Sequence, residues 1–134
     1  MTERGGVQIG FFQNFKSADT LLVDSDAAGF ELLADTFSAL AARGGSVAVH
    51  DLPFVHAHGV RLFAVCTASN PGASIEAQDI TWRQPPDGWR DTAVKLAALT
   101  TEGGGHQYLE SGHDQVQLLA SSGEYGDVWW ATHS

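Results

Sequence analysis

The chain has 134 residues, of which 43% are hydrophobic and 17% charged, and its formal net charge is −9 at pH 7. This length suits one compact domain with its own apolar core, so we expect residues 1–134 to form a single domain. The composition excludes a disordered or fibrous chain. An acidic surface repels phosphate backbones and anionic lipid, so we expect no nucleic-acid or membrane binding.

The single cysteine and the lack of long apolar runs indicate in which cellular compartment the protein is expected. Cys66 lies in the apolar stretch "RLFAVCTAS", which predicts a buried, inert thiol in a reducing compartment. No apolar run is long enough to span a bilayer, and "MTERGGVQIG" lacks the basic and apolar pattern of a secretory signal. We therefore expect a cytoplasmic protein, and no motif calls for a cofactor.

The first half of the chain predicts strands around one helix. "GVQIGFFQNF" and "TLLVDSD" are typical of strands. The helix is expected to begin at Ser25 or Asp26, as N-cap, and to end at Gly44–Gly45. "SVAVHDL" and "VRLFAVCTAS" predict two more strands, joined by a turn region from Pro53 to Gly59, with "SNPGAS" as a loop. Apolar residues recur at helical spacing at Phe30, Leu33, Phe37 and Leu40.

The second half has the same order of elements. "DITWRQ" predicts a strand, "PPDG" a helix start, and "HQYLES" and "DQVQLLASS" an antiparallel pair. The helical pattern consists of Trp89, Ala93, Leu96 and Leu99, followed by a glycine stop at Gly103–Gly105.

The two halves align without gaps at a shift of 59 residues, which places Gly29 over Gly88 and Leu40 over Leu99. The matches fall on the helix core face and the helix stop. We therefore predict an α+β fold built as a tandem β-α-β-β duplication, with repeats at about 20–69 and 79–128. The predicted sheet is mostly antiparallel, with two helices packed on one face. A chance match between two amphipathic helices is the alternative.

Two polar clusters raise the question of chemistry. "VHDLPFVHAHG" crowds His50, His56 and His58 together, and a His-x-His pair on a strand would point both rings to one face, as a metal site requires. The ligand set is incomplete, so a loop with solvated histidines is the favoured interpretation. The metal alternative would use His50, His56, His58 and His106.

The second cluster lies in "HQYLESGHDQVQLLASSGEY". Alternation predicts His106, Tyr108 and Glu110 on one face of a strand, "SGHD" as the turn, and a hairpin with one buried and one solvated face. If these side chains and His113 met in a cleft, a general acid and base would be present. The residue types are generic, so the hairpin interpretation is favoured over catalysis.

"GHQYLES", "DQVQLLASSGEYGD" and the tryptophans behind them resemble a pattern found in small bacterial α+β proteins, some of them grouped with immunity proteins of polymorphic toxin systems. The resemblance covers Trp89 to Trp130. The resemblance implies a cytoplasmic protein that acts by binding, and it assigns no catalytic residues to this sequence.

The leading hypothesis is therefore a non-enzymatic interaction domain, expected to be a homodimer, that binds a basic protein partner such as a toxin through an acidic face and exposed aromatic residues. One alternative is a small metal-dependent or acid-base enzyme that uses the histidines with Glu110. Another is a small-molecule sensor whose ligand contacts Trp82 and Trp89 between the repeats. The expected binding residues are Glu102, Glu110, Asp114, Glu124, Asp127, Trp129 and Trp130.

Overall fold

The computed structural model describes residues 6–15, 18–68, 72–99, 106–110, 117–122 and 130, and these form an α+β fold with helices packed on sheets. A 3-10 turn, Val49–Asp51, follows the third strand. The helices are α1 (Ala27–Arg43) and α2 (Pro86–Leu99). The strands are β1 (Val7–Phe15), β2 (Ala18–Ser25), β3 (Ser46–Ala48), β4 (Val55–His58), β5 (Arg61–Cys66), β6 (Gly72–Glu76), β7 (Asp79–Gln84), β8 (His106–Glu110) and β9 (Gln117–Ser122).

The ends of α1 follow from its sequence. The side chain of Asp26 accepts a hydrogen bond from the backbone N–H of Gly29 at 2.8 Å, which caps the first turn. Gly44 ends the helix with φ of 77°, a left-handed conformation that favours glycine, and its N–H donates to the carbonyl of Leu40 at 2.8 Å. The predicted cap and stop are confirmed. Neither helix of the described residues has the length and apolarity needed to cross a membrane.

The strands form two sheets rather than one. Sheet A has the order β4-β1-β2-β9-β8, and sheet B has the order β3-β5-β7-β6. Each sheet therefore contains strands from both halves of the chain. Residues of both sheets and both helices share one buried apolar cluster, in which the ring centroids of Phe37 and Trp89 are 4.8 Å apart. The inner face of each sheet, meaning the side that contributes to this cluster, packs toward the helices.

The strands within each of the two sheets are paired in the same pattern. In sheet A the hairpin β1–β2 is antiparallel, β2 joins β9 in parallel, and β9 pairs with β8 antiparallel. In sheet B the hairpin β6–β7, the parallel join β7–β5 and the antiparallel pair β5–β3 repeat this pattern. The first half thus contributes the hairpin β1–β2 to sheet A and the pair β3 and β5 to sheet B. The second half contributes the hairpin β6–β7 to sheet B and the pair β8 and β9 to sheet A. Three of the seven strand pairs of the described residues are parallel, more than expected.

The repeated pairing also corrects the gapless alignment. Ser46 pairs with Val65 in sheet B, whereas His106 pairs with Ser121 in sheet A. Val65 and Ser121 hold equivalent places, beside Arg83 of β7 and Asp24 of β2. Ser46 therefore corresponds to His106, a shift of 60 residues, because the sequence has three glycines, 103–105, before β8 and two before β3. The shift of 59 residues places His106 over Val47, so the gapless alignment is wrong by one residue at this strand, and one residue reverses the face of a strand.

Gly29 and Gly88 have a common structural reason. A Cβ atom on Gly29 would lie 2.0 Å from Oγ of Ser25, and one on Gly88 would lie 2.7 Å from Oε1 of Gln84. Ser25 and Gln84 are the last residues of β2 and β7. In both halves, the side chain that ends the strand occupies the space beside the first helical turn, so a glycine is needed there.

Three local predictions were wrong. The region from Pro53 to Gly59 contains strand β4 and not only a turn, because it finds a parallel partner in β1. The predicted "SNPGAS" loop contains the start of β6. The predicted strand "SVAVHDL" ends at Ala48, where the 3-10 turn begins.

Candidate functional site

The outer face of sheet A, the face opposite the inner one, brings polar and aromatic side chains together. The register places His58, Gly10, Leu22 and Leu119 side by side across four strands. Facing side chains alternate along a strand, so the neighbouring row on this face contains His56, Gln8, Asp24 and Ser121.

Trp130 covers the middle of this face. It is 1% exposed and forms a second apolar cluster with Leu22 and Leu119, against which Phe12 packs. A Cβ atom at Gly10 would lie 2.8 Å from Cζ3 of Trp130, so the glycine leaves room for the indole. Trp130 was expected to be an exposed aromatic residue, and this was wrong: its large apolar ring is buried over the two leucines.

A row of rings runs along the same face. The centroids of His56 and His58 are 4.5 Å apart with planes tilted by 32°. His58 stacks on Trp130 at 4.5 Å and 20°, and Trp130 meets Phe12 at 5.8 Å. The two histidines lie on β4 and share one face, so the prediction that they belong to a loop was wrong, although His56 is exposed to solvent as predicted.

His58 is held as a neutral ring. Its Nε2 lies 2.6 Å from Oε1 of Gln8, and because an amide oxygen only accepts, Nε2 carries the hydrogen. Burial, and secondly the nearby His56, lower the pKa of His58 below its ordinary value of 6.5. The ring therefore keeps the lone pair on Nδ1 at neutral pH.

Polar side chains are buried beneath this covered face. Thr20, Asp24 and Ser121 are each less than 5% exposed. The indole Nε1 of Trp130 donates to Oδ2 of Asp24 at 3.4 Å, and Nε2 of Gln117 donates to Oγ1 of Thr20 at 3.3 Å. The face expected to be solvated at β9 is thus closed over, and both Asp24, through Oδ2, and Thr20 accept a hydrogen bond from within the protein.

The four histidines proposed as metal ligands are not brought together. The backbone N–H of Leu62 donates to Nδ1 of His50 at 3.1 Å, which fixes His50 beside sheet B. His106 is on β8, at the opposite edge of sheet A from β4, so about 19 Å separates those strands. Among the described residues, no three histidine, cysteine, aspartate or glutamate side chains are placed to hold a metal ion.

The described residues include few of the predicted interaction residues. Glu110 ends strand β8, but its side chain and that of His106 lie outside the part described. His113 lies outside it entirely. Trp82 and Trp89, proposed to contact a ligand, are 1% and 0% exposed in the core. Glu102, Asp114, Glu124, Asp127 and Trp129 lie outside the described residues.

Helix α1 carries an acidic surface that sequence patterns did not single out. Glu31 and Asp35 are exposed one turn apart and make no ion pair with the described residues, and Leu32 between them is 41% exposed. On α2, by contrast, Arg90 pairs with Asp87, and Lys95 lies 3.5 Å from Asp91. The spacing of Glu31 and Asp35 on the polar side of the helix was the available signal.

Sequence reasoning also missed Gln8, Gly10 and Asp24. Alternation in "VQIGFF" places Gln8 and Gly10 on one face of β1, but only the parallel pairing with β4 brings them to the histidines.

Comparison with known proteins finds no protein family, curated protein or solved structure that matches this chain.

Proposed function

We propose that the protein is a non-enzymatic interaction domain that binds a basic protein partner through acidic surface, including the outer side of α1. The observation that carries this proposal is the exposed pair Glu31 and Asp35, which makes no ion pair within the described part of the chain and lies beside the exposed Leu32. Interfaces commonly combine an apolar contact with charges that complement the partner. The net charge of −9 adds long-range attraction for a cationic protein.

The predicted residues of the C-terminal segment belong to the same proposal. Glu102, Glu110, Asp114, Glu124 and Asp127 would extend the acidic surface, and Trp129 would supply an aromatic contact. Trp130 is withdrawn from this set because its ring is buried. The resemblance to immunity proteins is the reason to propose a toxin as the partner and the cytoplasm as the location. The domain is also proposed to be a homodimer.

The test compares two variants that change the net charge equally. Glu31→Lys with Asp35→Lys reverses the acids of α1, and Asp87→Lys with Asp91→Lys reverses the ion-paired acids of α2. A partner identified by crosslinking to the wild type is then titrated against each variant at two salt concentrations. We expect the α1 variant to bind at least about tenfold more weakly and the α2 variant to bind much as the wild type does.

Two further measurements complete this test. A third variant, Glu124→Lys with Asp127→Lys, asks whether the C-terminal acids contribute, and sedimentation of the free protein gives its oligomeric state. Equal losses in the α1 and α2 variants would show that only total charge matters. A partner that binds all variants alike, independently of salt, would refute the acidic interface.

A further inference from the structure

A cleft lies where the two halves of the molecule meet, at the end of β4. A cavity of about 300 Å³ opens there, and a shallower hollow of about 480 Å³ shares four of its lining residues. One side of the cleft belongs to sheet A and the other to the turn between β6 and β7. The cavity is lined by Phe11, Phe12, His58, Gly59, Val60, Ala77 and Gln78.

The cleft exists because β4 is shorter than its neighbour. β4 pairs with β1 only from Val7 to Gly10, and at Gly59, where φ is 71°, the chain turns away toward β5. β1 continues to Phe15, so the two phenylalanines that follow Gly10 have no β4 neighbour. Ala77, with φ of 58°, forms the tight turn opposite. Both turns use left-handed backbone.

The lining residues offer apolar rings and a hydrogen-bond acceptor. His56 and Trp130 both lie against the His58 ring, each at a centroid distance of 4.5 Å, so much of the ring is already in contact with other rings. Nε2 donates to Gln8, which leaves Nδ1 as the acceptor. The exposed amide of Gln78 can both donate and accept.

Charge at the cleft disfavours an anionic ligand. The hollow beside the cavity includes Arg61 and Asp79, but Nε and Nη2 of Arg61 donate to the two carboxylate oxygens of Asp79 at 2.7 and 2.8 Å. The guanidinium is thus already paired. The pKa of His58 is lowered by burial and by His56, so this ring is uncharged at neutral pH.

We propose that this cleft binds a small, uncharged aromatic molecule with one hydrogen-bond donor, whose ring lies at the uncovered edge of β1 beside Phe11 and Phe12 and whose donor meets His58. The cavity volume is at the lower end of the range for ligand sites, which limits the ligand to one or two fused rings. This site is separate from the acidic surface of α1 and does not depend on a protein partner.

Indole and phenol serve as probes, with benzoate as the anionic control, in amide chemical-shift titrations of the intact chain. We expect saturable shifts at Phe11, Phe12, Gly59 and Gln78 with a dissociation constant of about 1 mM for indole, as its size permits. Benzoate should bind at least about tenfold more weakly, since its carboxylate finds no free cation among the described residues that line the cleft.

Two variants make the test specific. Gln78→Trp, on the exposed turn, places a large ring in the cleft and should abolish the indole shifts, whereas Ser38→Trp, exposed on α1, should leave them unchanged. His58→Phe keeps the stack but removes the acceptor, and should weaken phenol binding several-fold. Indole binding that survives in Gln78→Trp, or shifts that do not saturate, would overturn the proposal even if His58→Phe failed to fold.

Discussion

The outer faces of the two sheets share one pattern of strand pairing but differ in what covers them. On sheet A, the pair Thr20 and Gln117 is buried or half-buried and joined by a hydrogen bond. The corresponding pair on sheet B, Asp79 and Arg61, forms an ion pair with side chains 36% and 61% exposed. The backbone pairing alone therefore does not decide which face is open.

A few side chains determine that the outer face of sheet A is covered and that of sheet B is open. Gly10 on sheet A leaves room for Trp130, whereas Ser74 on β6 carries a side chain beside the half-buried Thr81. Phe63, in the middle of the outer face of sheet B, is half-buried and meets only the edge of His50 among the rings described around it. One indole over a glycine thus converts an exposed sheet face into a second apolar layer.

Removal of the Trp130 indole should have the largest effect on the free energy of unfolding. Trp130→Ala deletes a fully buried ring that packs on Leu22 and Leu119, so we expect a loss of about 3 to 5 kcal/mol in the free energy of unfolding. Phe63→Ala on the open face of sheet B should cost about 1 kcal/mol. Urea denaturation of both variants measures the difference. Equal losses would mean that the two faces are covered alike.

A side chain at Gly10 should have an intermediate effect. Gly10→Ala puts a methyl group 2.8 Å from Trp130, and relief of that contact should cost about 1 to 3 kcal/mol. Ser74→Ala, at the related position of sheet B, should change stability by less than about 0.5 kcal/mol. If Trp130 moves away in the alanine variant, its stacking on His58 is lost as well, and the shift of the His58 ring protons in NMR spectra would report it.

The smallest effect should appear as a pH dependence. Because burial and His56 lower the pKa of His58 in the folded state, the unfolded chain binds a proton more readily below pH 6.5. This contribution to stability is complete above pH 6.5 and is lost as the pH falls through the lowered pKa. His58→Gln should show a smaller decrease in urea midpoint between pH 7 and pH 5 than the wild type; parallel decreases would contradict this origin.

Local elements were predictable, and their long-range arrangement was not. The cap at Asp26, the stop at Gly44 and the strand "DITWRQ" follow from short-range patterns, and the structure places them where they were expected. The exchange of strands between sheets depends on parallel pairs such as Thr20 with Gln117, which are 97 residues apart. No local pattern specifies such a partner.

The candidate site was visible only in part. The His-x-His spacing did indicate two rings on one face, but β4 looked like a turn because its sequence is short, polar and preceded by Pro53. Trp130 looked like a surface residue because the glycine that accommodates it lies at the other end of the chain. The acids of the C-terminal segment remain predictions, since Glu102, Asp114, Glu124 and Asp127 lie outside the described residues and of Glu110 only the backbone is described.

The exchange of strands between the halves also affects how the chain is made. β2 acquires its parallel neighbour only after Ser122 has been synthesised, since β9 ends at that residue. Until then a nascent chain on the ribosome exposes the edge of β2, with its run "TLLV", as a template for other strands. A truncated product that lacks β9 is therefore expected to aggregate rather than to persist as a folded half.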